Sequence, residues 1–254
     1  MIDESNPAGR LYKILAGVKS QPDKTSVKKV WASAFAIEEN DVLITKSVVE
    51  LYSLSQEIQS LIKMNDALNH DLYLTSFNKI DRSFFPLNLN ATWASVKVHL
   101  TDEALTRLQF CANELSRFYS EESISEEDLK FIIQKTGELF ETLYKSSLPA
   151  ALRLSLLEEV ERIRSAISLY KIKGAKGLKE ALQGTLGAVV ANQEELKAAS
   201  KTDSDVIKRL GELIEKMDSF ASKALKIKKA LTSPVKYVLE MLSEAEDESV
   251  EIET

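Results

Sequence analysis

Cysteine occurs once in these 254 residues and histidine twice, and that scarcity limits the chemistry on offer. Cys111, alone, can form no intramolecular disulfide, which makes a reducing compartment its natural setting. It falls beside the apolar stripe of an expected helix, so it reads as a small buried hydrophobe rather than a nucleophile. His70 precedes Asp71 directly, and neighbours on a helix point about 100° apart, so the two form no working dyad. Neither His70 nor His99 has a glutamate three residues before it, as a helical di-iron site requires. No Gly-x-Gly and no Gly-Lys-Ser/Thr occurs, which removes the common phosphate-binding signatures. The expectation is no metal, no cofactor and no catalytic residue, and a protein that is not an enzyme.

Turn-makers are also few. Eight glycines and five prolines favour long helices over a many-stranded sheet, and no strictly alternating apolar/polar run competes as a strand. The first residues, Met1-Ile2-Asp3-Glu4, lack the basic and apolar regions of a signal peptide. The charge-free run from Ala181 to Gln193 is short of the roughly 20 apolar residues of a membrane span. A cytoplasmic protein is therefore expected. Excess positive charge is missing too: the formal net charge is −6. Six of the 39 acidic residues lie after Leu242 with no base among them, and the 33 that remain match the 33 Lys and Arg. A neutral body with an acidic, disordered tail over 243–254 offers no global attraction to nucleic acid.

What the chain does contain is helical seams. Val206, Leu210, Leu213, Met217, Phe220, Ala224, Ile227 and Leu231 alternate spacings of four and three. Such a stripe asks for another helix along it. The spacing predicts similar helices opened by Thr101 and by Ser125 with Asp128, the latter with a stripe through Leu129, Ile133, Thr136, Phe140 and Leu143. Pro149 fits a first helical turn, followed by a stripe through Leu156, Val160, Ile163 and Ile167. Ser204 reads as the cap of the last long helix, which Ser233-Pro234 breaks. Short connections make sequence neighbours antiparallel. The expected fold is all-α: an up-and-down bundle over residues 101–242, preceded by a less regular helical region over 1–100. In that region Ser26 caps a helix through Trp31, Ser53 caps the continuation of another, and Asn90 caps one bearing Trp93.

Two clusters are candidate sites. Lys171, Lys173, Lys176 and Lys179 surround the Gly-x-x-Gly turn formed by Gly174 and Gly177, where free amides would hold an anion. The simpler reading is cations at one helix end, a glycine that reverses the chain and a new helix. Lys223, Lys226, Lys228, Lys229 and Lys236 form a basic patch with no acid among them. It is a candidate contact for an acidic partner, an anionic lipid surface or the chain's own tail. Gly177, Gly184, Ala191 and Ala198 recur every seven residues, with Gly187 beside them, as if another backbone came close there.

The reading preferred is a non-enzymatic helical protein-interaction module, an adaptor, regulator or subunit of a cytosolic complex. The seam from Val206 to Leu231 is expected to be filled from within the chain, with a homodimer as the rival. The alternatives are a membrane-acting amphipathic helical protein, or a phosphate or nucleic-acid binder using the turn at Gly174 to Gly177.

Overall fold

The computed structural model describes residues 5–117, 119, 121 and 124–224, and among them all regular structure is helical. The acidic tail, Ile227, Leu231 and the break at Ser233-Pro234 lie outside the described residues. The fold is all-α. The chain divides into two compact units, Met1–Glu121 with Lys171–Gly174, and Glu122–Tyr170 with Ala175–Thr254. The helix opened by Thr101 packs on the first helix of the chain, within the first of these units.

The first unit is built on α1 (Pro7–Lys19), α2 (Val27–Phe35) and α3 (Asp41–Lys63). Short helices α4 (His70–Leu74), α5 (Phe77–Arg82) and α6 (Ala94–Lys97) follow, then α7 (Asp102–Leu115). The caps are local chemistry. The Asn6 side chain accepts from the Gly9 amide, Ser26 from Lys29, Asn40 from Val42 and Leu43, and Thr101 from Ala104. Ser53 is not a cap, since α3 runs through it unbroken, and Asn90 opens no helix. The segment around Trp93 is instead held by backbone pairing. The Val27 amide donates to the Ala91 carbonyl at 3.0 Å and the Trp93 amide to the Thr25 carbonyl at 2.7 Å. That pairing delivers Trp93 into the core, where its ring meets Trp31 edge-on at 5.3 Å while Phe35 stacks on Trp31 at 5.5 Å. α1 packs on α7, α3 and α2, and α3 packs also on α5 and α4.

The second unit contains α8 (Glu126–Lys145), α9 (Ala150–Ser168), α10 (Tyr170–Ala191), α11 (Gln193–Ala199) and α12 (Ser204–Ala224). Its helix pairs are antiparallel. Between α8 and α12 the ion pairs run Asp128–Lys216 at 2.7 Å, Lys135–Glu212 at 2.7 Å and Glu138–Arg209 at 2.9 Å, closing with Asp203 accepting from the Ser147 amide at 2.9 Å. Between α8 and α9, Arg164 lies 4.0 Å from the Phe140 ring centroid and Arg153 donates to the Ser146 carbonyl. Between α9 and α10, Asn192 donates to Ser155 near one end and Gly184 meets Glu159 and Arg162 further along.

The stripe of α12 is buried at Val206, Leu210, Leu213, Met217 and Phe220, and Ile207 and Ile214 widen it. It is covered by α8 within the same unit. α8 is turned by about one residue from the expected stripe: Ile132, Thr136, Leu139 and Leu143 are buried, while Ile133 is exposed and Phe140 only partly covered. Pro149 precedes the first turn of α9 instead of lying in it, and Ser204 is the first residue of α12 instead of its cap. Between α10 and α11 the helix is broken at Asn192, whose φ of −108° and ψ of 24° leave the helical range.

Candidate functional site

The most heavily charged buried place in the first unit is assembled from three distant parts of the chain. α1 supplies Arg10, one turn beyond the Asn6 cap, and the segment after α7 supplies Tyr119 and Glu121. The third part is Ile172 to Gly174, a short stretch that leaves the second unit after Tyr170 and returns to it at Ala175. Arg10 Nη1 lies 3.1 Å from Glu121 Oε2, with side-chain exposures of 9% and 4%. Its Nε donates to the Ile172 carbonyl at 3.1 Å and its Nη2 to the Lys173 carbonyl at 3.3 Å. The Tyr119 hydroxyl donates to Glu121 Oε1 at 2.7 Å, and the Glu121 amide donates to the Ser5 carbonyl at 2.8 Å. Burial, and after it the Glu121 charge, pushes the Tyr119 phenol well above its ordinary range, so it stays a donor.

Gly174 makes the arrangement fit. Its φ of 65° and ψ of −155° interrupt α10, in a region that side chains avoid. A Cβ there would lie 2.3 Å from Glu121 Oε2 and 2.7 Å from the Arg10 guanidinium carbon. The carboxylate and the guanidinium therefore fill the space beside the glycine. Every polar arm of the cluster points at another part of the same unit, which is the geometry of a clasp on residues 171–174.

The candidate anion-binding residues are thereby placed. Lys173 pairs with Glu50 of α3 at 3.2 Å, Lys171 is exposed, and Lys176 and Lys179 are half-buried. Gly177 is buried within regular helix and only Gly174 has a positive φ, so the two glycines do not act together as one turn. Of the basic patch, Lys223 lies in α12, and Lys226, Lys228, Lys229 and Lys236 lie outside the described residues. Among the recurrent small residues, Gly184 has a packing reason, because Arg162 and Glu159 occupy the space of a side chain there. Gly187 has none within 4 Å, and Ala191 and Ala198 face outward.

Cys111 is buried in α7, its thiol pushed up to about 12 by burial, as the hydrophobe reading expects. His70 Nε2 lies 3.0 Å from the Asn65 carbonyl, half-buried. Among the described residues no three His, Cys, Asp or Glu side chains are grouped to hold a metal ion, and no helix is long and apolar enough to cross a membrane.

A different feature of the first unit faces outward. On α3, Val42 is 75% exposed, Val49 43% and Tyr52 37%, and Phe85 meets the Tyr52 ring edge-on at 5.5 Å. Spacings of seven and three put the α3 residues on one side of the helix. Exposed positions between Val42 and Ser60 carry a single charge, that of Lys46. The buried stripe of α3 runs through Ile44, Val48, Leu51 and Leu54, away from this face. The signal available was Val49, an apolar residue opposite that stripe. Arg10, Tyr119 and Glu121 gave no signal, since nothing local relates residues more than 100 positions apart. No family model, curated protein or solved structure matches the chain.

Proposed function

We propose that this chain is a non-enzymatic helical protein-interaction module, an adaptor, regulator or subunit of a cytoplasmic complex, and that α3 presents its outer face to the protein partner. The observation that carries the reading is the exposed apolar strip of Val42, Val49 and Tyr52 with Phe85 beside it. Exposed apolar side chains gathered on one side of a helix, low in charge and accompanied by aromatic rings, are the composition of interface centres. The helices of the second unit support the same reading as scaffold: antiparallel, heptad-patterned and joined by short connections, they form an up-and-down bundle whose α12 stripe is filled by α8.

The reading is tested by recovering the tagged protein from its native host and identifying what accompanies it in stoichiometric amount. A protein partner should be retained by the wild type and lost with Val42→Asp/Val49→Asp. Both positions are solvent-facing, so thermal stability should change by less than about 1 kcal/mol. Retention of the same partner by the variant would move the interface away from α3. A wild-type protein that remains alone and monomeric by light scattering at two concentrations would remove the module reading.

A further inference from the structure

The contact between α9 and α10 contains a buried acid whose charged neighbour, Arg162 of its own helix, reaches one of its two oxygens. Glu159 lies on the buried side of α9, only 7% exposed. Its Oε1 is 3.2 Å from Arg162 Nη1, one turn along the same helix and 55% exposed, whereas Oε2 is buried with no hydrogen-bond partner among the described residues. Facing it on α10 is Gly184, where a Cβ would lie 2.9 Å from Oε2 and 2.6 Å from Arg162 Nη1. The two helices close over the carboxyl only because position 184 has no side chain. Oε2 thus looks onto backbone rather than onto a donor, the setting in which an ionised carboxylate is most costly and a neutral carboxyl is tolerated.

The charged groups around it are few. Arg162 and Glu158, both on α9, act on it in opposite directions. On α10 the nearest charges along the chain are Lys179, half-buried, and Glu180, exposed. On α8 the residues level with it include buried Leu139 and Leu143, while Glu141 and Lys145 are exposed and paired with each other at 3.7 Å. We infer that Glu159 makes the α9–α10 contact a proton-sensitive seam, tight when the carboxyl is neutral and loosened when it ionises.

The direction of titration agrees. Burial raises the Glu159 carboxyl above its ordinary range, against the pull of Arg162 and with the help of Glu158. An acid whose proton is held more tightly in the folded chain contributes stability that is fully present below its unfolded pKa. That contribution is lost as pH rises through the folded value.

The experiment is amide hydrogen exchange at residues 181–188 between pH 4.5 and 8, corrected for the intrinsic pH dependence of exchange. In the wild type, protection should fall as pH rises across this range, because the ionised carboxylate is the form the contact tolerates least. In Glu159→Gln, which keeps the shape and removes the charge, the profile should be flat, and protection at pH 8 should exceed that of the wild type. Asp218→Asn serves as control, since Asp218 is another carboxyl raised by burial, on α12. It should leave the profile at 181–188 unchanged. Parallel profiles for wild type and Glu159→Gln would overturn the inference. So would a Glu159→Gln variant that is less protected or unfolded, or a profile flattened by Asp218→Asn instead.

Discussion

Replacing Gly174 by alanine is expected to destabilise the first unit by about 3–5 kcal/mol, the range seen when a buried ion pair is broken. Two costs combine. The backbone at φ 65° and ψ −155° is closed to side chains at about 1–3 kcal/mol. The new methyl would also sit 2.3 Å from Glu121 Oε2 and 2.7 Å from the Arg10 guanidinium. Both are ends of long side chains, but each is nine-tenths buried and bonded on other sides, so neither can swing away without giving up the pair. Gly187→Ala is the internal control. It lies in regular α10 with nothing within 4 Å, so it should be stabilising by up to about 1 kcal/mol, the helix-propensity difference. Urea denaturation of the two variants side by side checks both signs. A Gly174→Ala protein as stable as the wild type would mean that residues 171–174 are not held as described.

Arg10→Leu should lose a comparable amount, about 3–5 kcal/mol, through a different route. It removes the guanidinium beside the Glu121 carboxylate, which is 4% exposed, and the donors to the Ile172 and Lys173 carbonyls. The double variant Arg10→Leu/Glu121→Leu should lose less than Arg10→Leu alone, because the carboxylate no longer stays buried without the guanidinium beside it. The clasp also gives a direct readout, since Lys171 and Lys173 are trypsin sites within the held segment. Cleavage after Lys173, which wild type protects through the Glu50 pair and the Arg10 bonds to the backbone, should accelerate in Arg10→Leu. A near-neutral Arg10→Leu with unchanged cleavage would remove the clasp as a stabilising element.

The caps Ser26, Thr101 and Ser125 are legible in the sequence, because capping is a bond between residues two or three apart. The same rule misplaced Ser53 and Asn90, where a capping residue type occurs without a helix start. For α8 the candidate stripes through Ile133 and Phe140 or through Ile132 and Leu139 share Thr136 and Leu143, so periodicity alone could not choose. The neighbours chose: Arg164 covers the Phe140 ring, and Lys135 and Lys216 stand over Phe131 at 5.6 and 5.0 Å. Those rings can remain near the surface with their faces occupied by cations. The lysines around Gly174 drew attention to the right segment for a reason that the structure replaces. What distinguishes the segment is its backbone, bound by Arg10, rather than its ammonium groups.

By itself the sequence determined that the chain is helical, where several helices begin, and that α12 needs a neighbour along Val206 to Phe220. Each of these follows from interactions within one or two turns, which leave a period in the sequence. Only the tertiary structure decided that α8 is that neighbour, that Gly174 lies against Arg10 and Glu121, and that Val42, Val49 and Tyr52 face outward. Those facts depend on which helices meet. Arg10, Glu121 and Gly174 come together from positions more than 50 residues apart, and contacts at such separations leave no periodic trace in the chain.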